Sequence, residues 1–224
     1  MIRLYFYVEG QTEQASVTRV HKPHLATFGV MVMGAILKAS ARRARIIHRG
    51  GGNYAPARND LLNLLKLHHG SDVCFTTMFD LYSLPSDFPG SDAAAQKRHL
   101  PYEQIKCLEE ALSEDIGDRR LIPHLQLFEF ESILLADPTV FSLLYENATN
   151  GIAKLQEVVQ EKGGPELVDD GPNTAPSKRI IQQFPRYLSG KTTDGVDAAE
   201  CIALPVVRAC SPHFDQWLRT LEQL

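Results

Sequence analysis

The strongest constraint on the fold is an alternation of short apolar segments with amphipathic segments along the first half of the chain. Ile2–Val8 is almost wholly apolar, is rich in aromatic and β-branched residues, and ends at Glu9-Gly10. Such a run is typical of a strand that is buried on both faces of a sheet. Three further runs are predicted as strands on the same grounds: Val30–Leu37, Asp72–Phe79 and Leu121–Phe128.

Helical patterns separate these apolar segments. Thr12 is a candidate N-cap for a helix over Glu13–Leu25, and apolar residues at helical spacing predict further helices over Asn59–Leu67 and Tyr102–Ile116. Strands that alternate with helices are typical of a parallel sheet covered by helices. We therefore predict an α/β fold with a mainly parallel central sheet flanked by helices.

The chain from about Asp137 onward has a different pattern, because its apolar segments are helical and are interrupted by Gly and Pro. We expect residues 1–136 to form the α/β core and residues 137–224 to form a helical C-terminal elaboration packed on it, as a single domain overall. Helices are predicted here over Phe141–Tyr145, Ile152–Lys162, Ser177–Phe184 and Asp215–Leu224.

Composition excludes several classes of protein. The chain of 224 residues is 44% hydrophobic and 22% charged, which is average for a globular protein. Its longest apolar runs reach about half of the roughly 18–20 residues that a membrane helix needs. The N-terminus lacks the pattern of a secretion signal, so we expect a cytoplasmic protein with no membrane partner. Four cysteines without a CxxC pair are expected to be small buried side chains, not zinc ligands or disulfides.

Positive charge is concentrated in one segment although the net charge is −4. Residues 14–59 contain eight Lys and Arg residues and no Asp or Glu. Such a segment indicates a surface for a polyanion, or else a solvated face whose partners are acids elsewhere in the fold. The residues predicted to contact a nucleic-acid backbone are Lys38, Arg42, Arg43, Arg45, Arg49 and Arg58.

Carboxylates follow three of the predicted strands. Glu9 ends the first, Asp80 ends the third, and Glu129 with Glu131 ends the fourth. The carboxyl ends of parallel strands meet at one edge of a sheet, and Mg²⁺ and Mn²⁺ prefer carboxylate oxygens. We therefore predict a Mg²⁺ or Mn²⁺ site. Glu13 is a further candidate ligand, although an acid in the first turn of a helix is also favoured by the helix dipole.

Lys178 is the best candidate for a cation that stabilises a phosphate. It lies at a predicted helix start, where backbone N–H groups also favour phosphate. The alternative is an ordinary solvated helix start.

Several sequence blocks resemble a known family. The segment Val8–Glu13 resembles the first motif of TOPRIM domains, most closely that of the overcoming-lysogenization-defect (OLD) nucleases. Nearly the whole chain is similar to a bacterial family, domain of unknown function 4276, in the TOPRIM-like group. The remaining blocks that carry this resemblance are Thr76–Pro89, Leu125–Asp137, Asp169–Ile180 and Pro212–Leu218.

The resemblance implies a TOPRIM-like sheet with a divalent-metal centre for phosphoryl transfer. Glu9 would match the TOPRIM glutamate, which acts as general acid or base or as a metal ligand, and Glu13 would match an additional OLD-type carboxylate. Asp80 would match the first Asp of the DxD motif. The chain departs from the motif at Tyr82, which stands where the second Asp is expected. Glu129 and Glu131 are the candidate replacements.

These features predict a metal-dependent nuclease in which Glu9, Asp80 and Lys178 are catalytic. The expected partners are DNA or RNA bound by backbone contacts, an ATPase encoded separately as the OLD resemblance implies, and a second copy in a homodimer. The alternative hypothesis is a catalytically inert regulatory or nucleic-acid-binding subunit, which the missing second Asp favours.

Overall fold

A computed structural model describes residues 1–37, 53–169, 171 and 173–224. The chain divides into two compact units, the first formed by Met1–Gln126 with Leu221–Leu224 and the second by Leu127–Thr220. The division falls ten residues before the boundary at residue 136 that the sequence pattern suggested.

The first unit contains a parallel sheet. The strands are β1 (Ile2–Val8), β2 (Val30–Leu37), β3 (Val73–Asp80), β4 (Leu121–Ile122) and β5 (Leu125–Gln126). Their order in the sheet is β2-β1-β3-β4, and the short strand β5 also pairs with β3. The pairings between these strands are parallel, which confirms the predicted α/β class with a mainly parallel sheet.

The two central strands are buried because most of their side chains are apolar. Leu4, Phe6 and Val8 of β1 and Met78 of β3 have no exposed surface. Burial of one such side chain stabilises the fold by roughly 1.5–3 kcal/mol. These contacts hold β1 and β3 side by side, and the register of this pair places the site described below.

The predicted fourth strand, Leu121–Phe128, is wrong in its extent. The structure has two short strands there, because Pro123 lacks an N–H group and interrupts the ladder. The buried Thr77 hydroxyl spans the gap: it donates to the carbonyl of His124 and accepts from its N–H, both at 2.9 Å. Phe128 then adopts a left-handed φ of 63°, which turns the chain out of the strand direction.

The helices of the first unit largely follow the sequence pattern. The first helix begins two residues earlier than predicted, with Gly10 and not Thr12 at its N-cap, and it continues through a π-helical turn over Val17–His21. The helix over Pro101–Ile116 is followed by Gly117, whose left-handed φ of 67° ends it. The helices of this unit are α1 (Gln11–Ser16), α2 (Lys22–Ala26), α3 (Ala55–Leu67), α4 (Ser91–Ala95) and α5 (Pro101–Ile116).

The described residues of the second unit form helices and turns without a strand, as predicted for the C-terminal part. No helix in the described part of the chain is both long and apolar enough to cross a membrane. The four cysteines are free thiols, but they are partly or fully exposed and not buried as expected. The helices of this unit are α6 (Phe141–Leu144), α7 (Thr149–Lys162), α8 (Pro176–Gln183), α9 (Tyr187–Gly190), α10 (Asp194–Cys201), α11 (Leu204–Cys210) and α12, which starts at Pro212 and ends at Glu222.

Candidate metal centre at the strand ends

The structure brings Glu9 and Asp80 together at the carboxyl edge of the sheet. Strands β1 and β3 pair in parallel with Val8 opposite Met78, so Glu9 lies one residue and Asp80 two residues beyond the last pair. The N–H of Glu9 donates to the carbonyl of Met78 at 3.2 Å. The N–H of Asp80 donates to Oε2 of the Glu9 carboxylate, also at 3.2 Å. Two acidic residues therefore share this edge.

Ser83 is a further residue in contact with Glu9. A 3₁₀ turn over Leu81–Ser83 follows β3, and its last residue comes back to the strand end. The Ser83 hydroxyl donates to Oε2 of Glu9, and it also lies 3.0 Å from the carbonyl oxygen of Asp80. Nothing in the sequence pattern singled out Ser83. A hydroxyl three residues after an acid is common in turns, so the spacing alone carries little information.

Tyr82 lies two residues after Asp80, where the resemblance to TOPRIM domains would predict a second acid. Its hydroxyl oxygen is buried. A phenol has an ordinary pKa near 10 and is neutral at pH 7, so it does not supply the charge of a second aspartate. In this segment Asp80 is therefore the residue that provides an acidic oxygen donor.

Glu13 lies in the first turn of α1 and is 6% exposed. Its carboxylate folds back over Gly10, where an added Cβ would meet Oε2 of Glu13 at 2.8 Å. An acid in this position is stabilised by the unpaired N–H groups of the helix start. Among the described residues, Glu9, Glu13 and Asp80 do not form a group whose ligand atoms all lie within 4.8 Å. The helix start by itself therefore explains how a buried acid is tolerated at position 13.

Glu129 belongs to the second unit and is 7% exposed. Its Oε2 accepts the N–H of Ser177 at 2.9 Å, in the first turn of α8. Glu166, which is 1% exposed, accepts the N–H groups of His213 and Phe214 at the start of α12, at 3.1 and 2.9 Å. Both buried carboxylates are therefore stabilised by a helix N-terminus, and Glu129 has a structural partner independent of any metal.

Glu131 is also buried in the second unit and is held by two side chains. Lys191 Nζ lies 2.8 Å from Oε1 of Glu131, and the Tyr187 hydroxyl donates to the same oxygen at 3.3 Å. Burial, and then the nearby Glu131 carboxylate, raise the pKa of Tyr187 well above its usual value. An ammonium group therefore already compensates the charge of Glu131.

Lys178 is the third residue of α8, and it is half-buried. Its backbone N–H donates to the carbonyl of Ala175 at 2.8 Å. Its ammonium group has no ion pair or hydrogen bond with a residue that the structure describes. The charge of Lys178 is therefore uncompensated within the described chain.

The basic segment is described only in part. Arg58 lies on α3, and its Nε donates to Oδ2 of Asp115 at 2.7 Å. The Tyr54 hydroxyl donates to the same carboxylate oxygen at 2.9 Å. Arg58 thus pairs with an acid of the same unit. The other residues predicted to contact nucleic acid lie outside the described residues: Lys38, Arg42, Arg43, Arg45 and Arg49.

Comparison with protein families finds a match over nearly the whole chain. The family model DUF4276, a domain of unknown function, matches residues 8–222. No curated protein and no solved structure matches the chain.

Proposed function

This chain belongs to the DUF4276 family, and we propose that it is a divalent-metal-dependent nuclease that hydrolyses phosphodiester bonds with Mg²⁺ or Mn²⁺. The observation that carries the proposal is the pair of acids at the ends of β1 and β3. Asp80 donates its N–H to the Glu9 carboxylate at 3.2 Å, so two acids that are 71 positions apart in the sequence share one strand edge. The resemblance of Val8–Glu13 to the first TOPRIM motif supports the same chemistry.

The residues at this edge fit a hard cation. Mg²⁺ is typically held by one or two carboxylates and keeps several waters, and Glu9 and Asp80 supply that number. Both hydrogen bonds to the Glu9 carboxylate go to Oε2, and Oε1 accepts none from a described residue. A bound Mg²⁺ or Mn²⁺ would neutralise phosphate charge and lower the pKa of a coordinated water.

Other residues of the chain have proposed parts in the reaction. Glu9 and Asp80 would hold the cation, and Lys178 stays the residue that the sequence predicts to stabilise charge on a phosphate. Three further acids stay predicted ligands, and each also has a structural partner described above: Glu13, Glu129 and Glu131. The basic segment binds the backbone of DNA or RNA through contacts that do not depend on sequence. An ATPase encoded separately is the proposed partner protein, and a homodimer in the cytoplasm is the proposed assembly.

The second candidate function is an inert regulatory or nucleic-acid-binding subunit. Tyr82 favours it, because a neutral phenol stands where the DxD motif has its second carboxylate. The two functions differ in one respect that can be measured, namely cleavage that depends on Glu9 and Asp80.

Metal binding and cleavage test the proposal directly. Mg²⁺ or Mn²⁺ should raise the melting temperature of the wild-type protein, and Glu9→Gln and Asp80→Asn should abolish that rise because each removes a charged ligand. Cleavage of labelled single-stranded DNA, duplex DNA and RNA should fall at least about 100-fold in both variants. The assay is run on the chain alone and with the ATPase encoded beside it plus ATP.

Glu114→Gln is the matched control, because Glu114 is an exposed acid of α5 and its substitution makes the same change of charge. It should keep the metal-induced rise and the cleavage rate of the wild type. If Glu9→Gln and Asp80→Asn both keep the wild-type rise, the metal assignment is wrong. Metal binding without cleavage, both by the chain alone and with the ATPase and ATP, would favour the inert subunit.

A further inference from the structure

We propose that Ser83 is a positioning residue that fixes the Glu9 carboxylate, so that Glu9 binds the metal through Oε1 alone. This inference rests on the proposed metal-dependent function, since it concerns how one ligand of that site is held.

Two donors converge on the same oxygen of Glu9. The N–H of Asp80 lies 3.2 Å from Oε2, and the Ser83 hydroxyl donates to that oxygen as well. An ionised carboxylate has about four lone-pair sites on its two oxygens. Since both donors use Oε2, the lone pairs of Oε1 stay available for a cation. Glu9 would therefore offer a single oxygen to a cation.

The Ser83 proton has two acceptors within reach, and charge decides between them. The Asp80 carbonyl oxygen lies 3.0 Å from the Ser83 oxygen, but a neutral carbonyl is a weaker acceptor than a carboxylate. A hydroxyl has one proton, so it donates to Glu9. The 3₁₀ turn makes this contact, because it returns the third residue after Asp80 to the end of β3.

The contact contributes more to the orientation of Glu9 than to the fold. The turn has its own backbone hydrogen bond, from the N–H of Leu84 to the carbonyl of Leu81 at 3.4 Å. Ser83 is half-buried and adds no side chain to the apolar core. Loss of its hydroxyl therefore leaves the turn in place and releases one of the two donors that hold the Glu9 carboxylate.

Calorimetric titration with MgCl₂ and with MnCl₂ tests this role. It measures the affinity of the protein for the metal in the absence of any substrate. Ser83→Ala should weaken binding by about 10–100-fold, as is typical when a residue that orients a metal ligand is removed. Its melting temperature without metal should stay at the wild-type value. Ser83→Thr keeps the hydroxyl and should restore most of the affinity.

Ser91→Ala is the matched control, since the half-buried Ser91 hydroxyl donates to the carbonyl of Phe88 at 2.7 Å and contacts no acid in the described chain. It should bind metal like the wild type. If Ser83→Ala proves unfolded, Ser83→Cys serves in its place: it keeps a polar atom at the same position, has a weaker donor, and should also bind metal more weakly than the wild type.

The outcomes separate this inference from the proposed function. If Ser83→Ala binds metal with wild-type affinity while Glu9→Gln loses binding, Ser83 does not position Glu9, and the metal site stands. The positioning role is equally wrong if Ser83→Ala lowers the melting temperature and leaves the affinity of the folded protein unchanged. If the wild type binds neither cation, the proposed function and this inference both fail.

Discussion

Four buried ionisable side chains of this chain have a local physical reason for their burial. The Glu129 and Glu166 carboxylates accept backbone N–H groups at helix starts, where the unpaired donors and the dipole favour a negative charge. Glu131 is compensated by the ammonium of Lys191 at 2.8 Å. His21 is stabilised differently, as an uncharged ring. Its Nδ1 lies 3.3 Å from the carbonyl of Ser16, which identifies Nδ1 as the protonated nitrogen.

His21 makes the stability of the protein depend on pH. Burial is the main cause that lowers its pKa from 6.5 to about 4, and the charge of His24 lowers it further. The unfolded chain therefore takes up a proton below pH 6.5 that the folded chain takes up only near pH 4. The neutral ring makes its full contribution to the free energy of unfolding above pH 6.5. That contribution falls by up to about 3 kcal/mol as the pH approaches 4.

Denaturant unfolding of wild type and His21→Gln between pH 7 and 4 measures this effect. The wild type should lose more free energy of unfolding on acidification than His21→Gln, because the variant has no group that titrates at this position. His99→Gln removes an exposed histidine and should keep the wild-type slope. Equal slopes in wild type and His21→Gln would contradict the assignment.

Helix starts also organise the second unit at the level of whole elements. Helix α8 begins at Pro176, and one of its first N–H groups, that of the buried Ser177, has the Glu129 carboxylate as its acceptor. Helix α12 uses Glu166 in the same way. These acceptors come from distant parts of the chain, so each helix start also ties two segments of the unit together.

Substitution of Glu129 should separate its structural role from a role as ligand. Glu129→Ala should lower the free energy of unfolding by about 1–3 kcal/mol, because it leaves a buried N–H without an acceptor. Glu129→Gln keeps a carbonyl acceptor and should cost less. Glu166→Ala is the matched control, because it removes the acceptor at the start of another helix. It should lower the free energy of unfolding by a similar amount and leave the metal affinity unchanged.

Metal affinity then decides whether Glu129 is also a ligand, as the sequence pattern predicts. If Glu129→Gln is folded and binds Mg²⁺ or Mn²⁺ more weakly than Glu166→Gln, Glu129 belongs to the metal site. Equal affinities would assign Glu129 to the helix start alone.

The distribution of charge matters at the scale of the whole molecule. The net charge is −4, but residues 14–59 hold eight basic residues without an acid. Arg58 is paired with Asp115 at 2.7 Å, so part of its charge is compensated within the fold. Both partners are partly exposed, so the pair contributes little to stability. If the chain binds nucleic acid as proposed, we expect the attraction to depend on the other arginines of this segment.

Replacement of Arg42, Arg43 and Arg45 together by Gln should weaken nucleic-acid binding and make it less sensitive to salt. Each phosphate contact contributes about 0.9 to the slope of the logarithm of affinity against the logarithm of salt concentration for duplex DNA. The slope should become shallower by about two to three units in a fluorescence anisotropy titration. Arg58→Gln should change it far less, because Asp115 already neutralises that side chain. An unchanged slope in the triple variant would show that these three arginines do not contact phosphate.

Much of the fold is determined by the sequence alone, because apolar patterning is local. The run Ile2–Val8 has no polar face, so it is stable only as an inner strand, and the structure places it there as β1. The stripe of Ile105, Leu108, Leu112 and Ile116 on α5 is buried as its helical spacing predicts. The positions of Glu9 and Asp80 at strand ends follow from the same patterning.

Contacts between distant segments were decided by the tertiary structure. The strand predicted over Leu121–Phe128 is broken at Pro123, and the Thr77 hydroxyl that bridges the break lies 46 positions earlier in the sequence than Pro123. Ser83 contacts Glu9 from 74 residues away, and only the register of β1 against β3 makes them neighbours. Side-chain partners of this kind depend on strand register and turn geometry, which apolar periodicity does not encode. Apolar patterning therefore placed Glu9 and Asp80 at strand ends, but Glu129 and Glu131, predicted at a third strand end, lie beyond β5 in the second unit. The donors that hold each acid follow from the fold.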